Sequence, residues 1–158
     1  MPHTHRNKTL DLYQKLQRWP MGNKLFSLAI CRMAPYFGSV SPLVTKLYPH
    51  HCECIIKKRR KVQNHIGTVH VIAICNGLEI AMGAMAEASI PPHLRWIPKG
   101  MTLDYTAKAG TDIRCVAEVD PHAWQPGDMD VTVTAYDAND VVVVKGSIKL
   151  WISEKKSK

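Results

Sequence analysis

The chain has 158 residues, 46% of them hydrophobic and 22% charged, which is an ordinary balance for one soluble globular domain. Five cysteines at irregular spacing exclude a secreted-type disulfide framework and indicate reduced thiols. The formal net charge of +8 favours an anionic partner, without deciding among nucleic acid, anionic lipid and a phosphate-bearing cofactor. The first residues lack the apolar core of a signal peptide, and no apolar run reaches the length of a membrane span. We therefore expect a cytoplasmic protein with no membrane span.

The first part of the chain predicts two short helices. Apolar residues at helical spacing favour helices over residues 8–19 and 23–33, with Pro20 interrupting the pattern between them. We assign residues 1–42 to an N-terminal helical extension and residues 43–158 to the main domain, within a single structural domain overall.

The middle of the chain predicts an extended segment followed by a long helix. Residues 43–61 are expected to form one strand that bends at Pro49, with a loop at residues 63–67 after it. A helix is expected over residues 68–88, with Thr68 as its N-cap. The apolar character of this helix on nearly all sides indicates that it is buried.

The last part of the chain predicts consecutive strands with short turns, which implies an antiparallel sheet. These strands are expected at about residues 95–107, 112–120, 130–136 and 141–152. A helix that is apolar around most of its girth needs a sheet curled around it. The predicted class is therefore α+β, in the hotdog arrangement of a curled antiparallel sheet around one long central helix. Two such sheets commonly pair edge to edge, which protects the edge strands, so we expect a homodimer or a dimer of dimers.

One carboxylate lies inside the predicted buried helix. Between Gly67 and Glu87 the only side chains that ionise near neutral pH are His70 and Glu79. An unpaired carboxylate in apolar surroundings is costly, and buried acids are a common source of general bases and nucleophiles. Glu79 is therefore the first candidate catalytic residue. The alternative is a position at the helix edge, where the carboxylate reaches water.

The residues before Glu79 form a pattern with a known counterpart. The pattern consists of Asn64, Gly67 and the Thr after it, His70, and Glu79 nine residues after His70. It resembles the signature of hotdog-fold acyl-CoA thioesterases. The likeness is to the phenylacetyl-CoA and 4-hydroxybenzoyl-CoA thioesterase branches and covers roughly residues 60–152. As a whole, the chain is more similar to an uncharacterised bacterial branch of hotdog proteins, a domain of unknown function.

The resemblance implies an enzyme that hydrolyses acyl thioesters of coenzyme A or of an acyl carrier protein, with no cofactor of its own. In the resembling enzymes the loop and helix start of one subunit face the mid-helix carboxylate of the other. Glu79 would then act as general base on water or as nucleophile on the thioester carbon. Asn64 would orient the water or the carboxylate, and the backbone N–H of Val71 would hold the oxyanion.

Four residues of the pattern keep two interpretations each. Asn76 lies one turn before Glu79, where it is placed to hydrogen-bond that carboxylate or to be a buried amide satisfied by backbone. Asn64 and Gly67 belong to the catalytic loop or are simply a turn residue and a loop residue with positive φ. His70 is favoured as a structural histidine that hydrogen-bonds the loop backbone, over a proton carrier.

The pattern departs from the family at one place, because the two glycines after the His are Val71 and Ile72 here. A backbone N–H survives substitution by Val, and the helix dipole still favours a developing oxyanion, but a β-branched side chain crowds the approach of a thioester. This departure favours the first alternative function, a non-catalytic hotdog module that binds acyl-CoA or fatty acyl ligands. A hotdog hydratase is the second alternative; it generally uses an Asp/His dyad in a different motif, which this sequence lacks.

The segment HHCEC at residues 50–54 looks like part of a metal site. On a strand, His50, Cys52 and Cys54 would share one face. Structural zinc sites need a second pair of ligands, which the sequence does not supply. We therefore predict no metal site.

The basic run at residues 57–61 also keeps two interpretations. It is a solvated strand end or, through Lys57, Arg59 and Lys61, a binding site for the phosphates of coenzyme A. Aromatic residues make up 7% of the chain and are not interleaved with this run. No stacking platform results, so nucleic acid is not predicted as a partner.

Overall fold

The computed structural model describes residues 7–156, which form three α-helices, two short 3₁₀ helices and six strands. The first residues, on which part of the signal-peptide expectation depends, lie outside this range. The helices are α1 (Lys8–Leu16), α2 (Gly22–Met33) and α3 (Val71–Ser89), with 3₁₀ helices at Pro35–Ser39 and Arg60–Val62. The strands are β1 (Leu43–Tyr48), β2 (His51–Ile56), β3 (Leu94–Tyr105), β4 (Ile113–Glu118), β5 (Gly127–Tyr136) and β6 (Val142–Glu154). The four strands after α3 lie where the alternating patterns predict them.

The strands of the described residues join one curled antiparallel sheet in the order β1-β2-β4-β5-β6-β3. α3 lies across one face of this sheet and packs mainly on β2 and β4. β3 forms one edge and pairs with β6 alone. The prediction of an α+β hotdog fold, with a central helix and N-terminal helices in addition, is confirmed.

α3 approaches the sheet closely at one glycine. A Cβ atom at Gly77 would lie 2.7 Å from the Sγ atom of Cys115 and 2.8 Å from Cγ1 of Ile56. The thiol of Cys54 donates a hydrogen bond to the Gly77 carbonyl over 3.2 Å. Gly77 therefore lets the helix backbone rest directly on β2 and β4.

By length and composition alone, α3 is able to cross a membrane, contrary to the expectation that no segment is. Asn76 and Glu79 were expected to interrupt the apolar run, but the helix is apolar enough on average in spite of them. In the fold, 67% of the most apolar part of this helix is buried inside the protein. This burial is that of a core helix.

The prediction of one bent strand over residues 43–61 is wrong, because the chain reverses at Pro49 and His50 to form a hairpin of β1 and β2. His50 has a φ of +70°, which a sequence pattern does not reveal. Its N–H donates to Ser89 Oγ (2.7 Å), and its Nδ1 accepts the indole N–H of Trp124 (3.1 Å). These hydrogen bonds to residues distant in sequence stabilise the turn between β1 and β2.

The start of α3 is also later than predicted. The helix begins at Val71, and its N-cap is His70 rather than Thr68. The two residues before Val71 use their N–H groups in tertiary hydrogen bonds instead. Val69 donates to the Ala109 carbonyl (2.8 Å), and His70 donates to the Val62 carbonyl (2.8 Å). These bonds keep Val69 and His70 extended.

The N-terminal helices belong to the same core as the sheet. The rings of Tyr13 and Phe26 meet edge to face, with centroids 5.0 Å apart, and both side chains are buried. Ser27 Oγ accepts the N–H of Val44 (2.8 Å), which ties α2 to β1. The division at residue 42 stays a prediction.

Candidate active site

The loop before α3 is a hydrogen-bonded network around Asn64. Its Oδ1 accepts the N–H groups of Ile66 (3.2 Å) and Thr68 (3.1 Å), and its Nδ2 donates to Thr68 Oγ1 (2.8 Å). Gly67 donates its N–H to the Asn64 carbonyl (3.1 Å) and has a φ of +77°, which favours glycine. Both residues therefore hold the loop in shape.

The first turn of α3 presents backbone N–H groups. Nδ1 of His70 accepts the N–H of Ile72 (3.0 Å), so a neutral His70 carries its proton on Nε2. Val71 is the first residue of the helix, and its N–H is one of those a helix leaves without an intrahelical acceptor. The positive end of the helix dipole lies at the same place. This geometry suits an oxyanion.

A cavity of about 500 Å³ adjoins the helix start. On one side are the loop and the first turn of α3, with Asn64, His70 and Val71. On the other side are Tyr105, at the end of β3, and Lys108. The Lys108 ammonium brings a positive charge to a cavity that is otherwise lined by neutral groups and histidines.

Glu79 borders a second cavity, of about 450 Å³. Its side chain is half-buried, and within residues 7–156 no hydrogen bond or ion pair reaches its carboxylate. The surrounding wall is mainly apolar and includes Phe37, Met82 and Trp96. The sequence left burial and a helix edge as alternatives for Glu79; the observed position lies between them, at the wall of an open cavity.

Within one protomer, Glu79 does not lie at the start of α3. Glu79 lies eight positions after Val71, so the two are about 12 Å apart along the α3 axis. They also border different cavities. The predicted site residues therefore form two groups, with Asn64, Gly67, His70 and Val71 in one and Glu79 in the other.

Asn76 makes no hydrogen bond to either group within residues 7–156, so of its two interpretations the bond to Glu79 is not found. Its Nδ2 donates to Ser39 Oγ (3.2 Å) and, at the limit of hydrogen bonding, to the Tyr36 carbonyl (3.5 Å). Its Oδ1 is buried and has no donor within residues 7–156. The 3₁₀ helix at Pro35–Ser39 packs on this side of α3 and supplies the acceptors for the Asn76 side-chain amide.

The three basic candidates for binding phosphate lie in separate surroundings. Lys57 borders a cavity beside α2, and Lys61 borders another, near His70. Arg59 is half-buried, and its Nη2 has no acceptor within the described part of the chain. The structure does not bring the three side chains together.

The HHCEC segment is used for packing. Cys52 and Cys54 are fully buried in the core, and burial raises the pKa of the Cys52 thiol well above its usual range. Within residues 7–156 no group of three His, Cys, Asp or Glu side chains is placed to hold a metal.

Sequence reasoning missed an ion-pair cluster around the buried Glu53, on the outer face of β2. Glu53 contacts Lys46 (3.3 Å), His51 (3.1 Å) and Arg114 (3.8 Å). Burial alone would raise the pKa of Glu53, but hydrogen bonds from His51 and Lys46 and the nearby charges outweigh it and lower that pKa. The available signal was the alternation of side chains along the strand, since it places Glu53 on the face of the sheet away from Cys52 and Cys54.

Sequence reasoning also missed most of the wall around Glu79. Gly83 lies one turn further along the same face of α3, which the spacing of four residues reveals. Met33 of α2, Phe37 and Trp96 of β3 come from elements that no local pattern brings to this place.

The curled antiparallel sheet around a central helix defines a hotdog-fold protein with the architecture of solved thioesterase-family proteins. More narrowly, the chain belongs to the family described as "Domain of unknown function (DUF4442)", whose model matches residues 22–152. No curated protein matches the chain.

Several solved structures share this fold. The crystal structure of the structural-genomics protein APC5556 is 42% identical, with a TM-score of 0.82 over 93% of this chain and 98% of that one. PA5026 from Pseudomonas aeruginosa, described as a probable thioesterase, is 18% identical, with a TM-score of 0.72 over 79% and 91%. A thioesterase family protein from Silicibacter pomeroyi is 16% identical, with a TM-score of 0.69 over 82% and 96%.

Proposed function

We propose that the protein hydrolyses acyl thioesters of coenzyme A or of an acyl carrier protein, with Glu79 as general base or nucleophile. The observation that carries the proposal is the Glu79 carboxylate, half-buried beside a mainly apolar cavity with no partner in residues 7–156. Within the described residues no cation pairs with it, so it is available for chemistry. The names of the relatives from Pseudomonas aeruginosa and Silicibacter pomeroyi point the same way.

The proposed site is completed by a second copy of the chain. A nucleophile must lie about 3–3.5 Å from the carbon it attacks, and the Val71 N–H and Glu79 of one protomer are too far apart to act on one carbonyl group. We propose a homodimer, or a dimer of dimers, in which Glu79 of one protomer faces the helix start of its partner.

The edge strand β3 supports this assembly. Met101 and Tyr105 pair with the core residues Ile148 and Val144, so they lie on the core-facing side of the sheet. Yet Met101 is 36% exposed and Tyr105 64% exposed, because α3 covers the other half of the sheet. A second copy paired on β3 would cover this apolar face and satisfy the free edge.

The chemistry follows from these positions. As general base, Glu79 takes a proton from the water that attacks the thioester carbon, the C–S bond breaks, and the protonated Glu79 gives its proton to the leaving thiolate. As nucleophile, its carboxylate oxygen attacks that carbon, the C–S bond breaks, the thiolate leaves and is protonated by water, and a second water hydrolyses the acyl anhydride. In both routes the Val71 N–H stabilises the oxyanion, and Asn64 with Gly67 holds the loop that positions it.

For coenzyme A, the phosphates would meet the basic run. Lys61 is exposed near the helix start, and Arg59 has a guanidinium nitrogen without an acceptor in the described residues. Lys57 lies further away, beside α2. The five free cysteines support the expected cytoplasmic location.

A second candidate function is a non-catalytic module that binds acyl-CoA or fatty acyl ligands. The observation that favours it is the helix start, where Val71 and Ile72 replace two glycines and Ile72 is 56% exposed. The Asn64 side chain is also engaged within its own loop. This candidate predicts ligand binding without turnover.

The test is thiol release from acyl-CoAs of short, long and aromatic acyl groups by wild type, Glu79→Gln and Glu154→Gln. Glu154 is an exposed carboxylate at the end of β6, away from both cavities, and serves as the matched control. We expect Glu79→Gln to lower kcat by about 10²–10⁴, the usual contribution of a general base, and Glu154→Gln to act like wild type.

Turnover that persists in a folded Glu79→Gln variant removes Glu79 from the mechanism. If wild type binds acyl-CoAs and releases no thiol, the binding-module candidate replaces the hydrolase.

A further inference from the structure

The cavity beside Glu79 follows one face of α3. Glu79, Gly83 and Glu87 are spaced four residues apart, so they lie on the same face of the helix, and all three border the cavity. The helix rises about 12 Å from the first to the last of them. The cavity has a volume of about 450 Å³, within the range of about 300–1,000 Å³ that is usual for ligand clefts.

Gly83 leaves the middle of this cavity open. A Cβ atom there would meet one neighbour, Cη2 of Trp96, at an ordinary contact distance of 3.7 Å. Close packing therefore does not demand a glycine, in contrast to Gly77. Glycine in a helix interior is destabilising relative to alanine, and the effect of this glycine is to leave room between Glu79 and the far end of the cavity.

The far end is held together by hydrogen bonds among three elements. The indole N–H of Trp96, on β3, donates to Oε1 of Glu87 (2.8 Å). The side-chain amide of Asn7, the N-cap of α1, donates to the carbonyl of Glu87 (2.8 Å). The cavity therefore has a carboxylate without a hydrogen bond in the described residues at its Glu79 end and a hydrogen-bonded end at Glu87 and Trp96.

The N-terminal helices supply one wall. Ile30 and Met33 of α2 and Phe37 of the following 3₁₀ helix border the cavity, with Thr9 of α1. Ile30 and Phe37 also pack against the main core, so this wall is anchored. The helical extension, which the resemblance to thioesterases does not cover, thus shapes the cavity.

The charges around the cavity have one sign. Its ionisable lining residues are Glu79 and Glu87, and no Lys, Arg or His side chain of the described residues borders it. A bound group that carries its own carboxylate would meet two negative charges and no cation, which is unfavourable. An uncharged apolar chain meets only the aliphatic and aromatic wall.

We propose that this cavity binds the acyl chain of the thioester as a straight, uncharged aliphatic chain of medium length, and that Gly83 determines how long a chain it accepts. The inference rests on the proposed function, because that function assigns the thioester carbonyl to Glu79. A fully extended chain advances about 1.2 Å per bond, since three backbone bonds span about 3.3–3.6 Å. The distance of about 12 Å along the helix then holds a chain of about eight to ten carbons.

The test compares binding of S-decyl-CoA and S-butyl-CoA, thioethers that cannot be hydrolysed, by calorimetry. Each buried methylene is expected to raise affinity about fourfold, so wild type prefers the decyl ligand. Gly83→Leu fills the cavity and should lower the decyl affinity about tenfold or more while sparing the butyl ligand. Gly83→Ala, the milder variant in case Gly83→Leu does not fold, should shift the ratio in the same direction.

Gly38→Ala is the matched control, because a Cβ atom there also makes one ordinary contact, with Cys31 Cβ at 3.8 Å, and it borders a different cavity. It should keep the wild-type ratio. The same ratio in folded Gly83→Leu or Gly83→Ala as in wild type overturns the proposal. Equal kcat/KM for octanoyl-CoA and its ω-carboxylated analogue suberoyl-CoA overturns the charge argument.

These measurements separate the two proposals. If the thioethers bind with the expected dependence on chain length and no acyl-CoA is hydrolysed, the acyl pocket stands and the hydrolase fails. If acyl-CoAs are hydrolysed and filling Gly83 changes no chain-length preference, the hydrolase stands and this pocket assignment fails.

Discussion

The oxyanion donor proposed for this site is a backbone group, so at the residue scale it is tested by proline. Val71 is the first helical residue, where proline is well tolerated. The preceding His70 is extended, with φ −63° and ψ 135°, as a residue before proline must be. Val71→Pro should keep the fold and lower kcat by about 10²–10³, the usual cost of one oxyanion donor.

Steady-state kinetics with circular dichroism checks this expectation. Val71→Ala is the control, since it keeps the N–H and removes the β-branched side chain that crowds the helix start. We expect it to be at least as active as wild type. A folded Val71→Pro variant with wild-type kcat would show that the amide plays no part.

Single residues also show what a sequence reveals and what it hides. Glu79 was identifiable because a lone acid in an apolar helix is conspicuous. Of the two interpretations left open for Asn76, the described residues do not show the bond to Glu79. Helical spacing identifies neighbours on the same helix, but it does not reveal a competing partner such as Ser39 on another element. The roles of Asn64 and Gly67 in the loop follow from local turn chemistry and were within reach of the sequence.

At the scale of elements, two glycines of α3 should respond oppositely to alanine. A Cβ atom at Gly77 would lie 2.7 Å from Cys115 Sγ, and one at Gly83 would lie 3.7 Å from Trp96. We expect Gly77→Ala to destabilise the fold by about 1–3 kcal/mol through overpacking. Gly83→Ala should stabilise it by up to about 1 kcal/mol through helix propensity.

Urea unfolding of both variants checks the pair, and each serves as the control for the other. If Gly77→Ala is as stable as Gly83→Ala, the close contact between α3 and the sheet is looser than the structure indicates.

The elements differ in how readily their patterns predict them. β3 to β6 were found because their side chains alternate, and α3 because it is apolar on most sides. The β1–β2 hairpin was missed because its reversal depends on Ser89 and Trp124, which local sequence does not bring near His50. The late start of α3 likewise depends on tertiary bonds to residues 62 and 109.

At the scale of the whole molecule, the proposed site shared between protomers predicts complementation. Glu79→Gln and Val71→Pro should each give inactive homodimers. In a mixed dimer one site receives Glu79 and the Val71 amide intact, and the other receives neither. After the two variants are unfolded and refolded together, about a quarter of the wild-type sites should re-form, because about half of the dimers are mixed.

Thiol release before and after mixing measures this, with light scattering to establish the dimer. The control is each variant refolded alone. No recovery in a mixture that contains dimers would place both groups of one site in the same protomer.

The cysteines of the core have a practical consequence for studying this molecule. Cys54 and Cys115 are directly opposite each other on β2 and β4, and both are fully buried, as is Cys52. The hydrogen bond with Cys54 and burial raise the pKa of the Cys115 thiol well above its usual range. Because the sulfur is also fully buried, we expect it to resist alkylation in the folded protein. The rate at which an alkylating reagent labels these thiols therefore reports how often the sheet opens, and the protein carries this probe of its own unfolding without any introduced label.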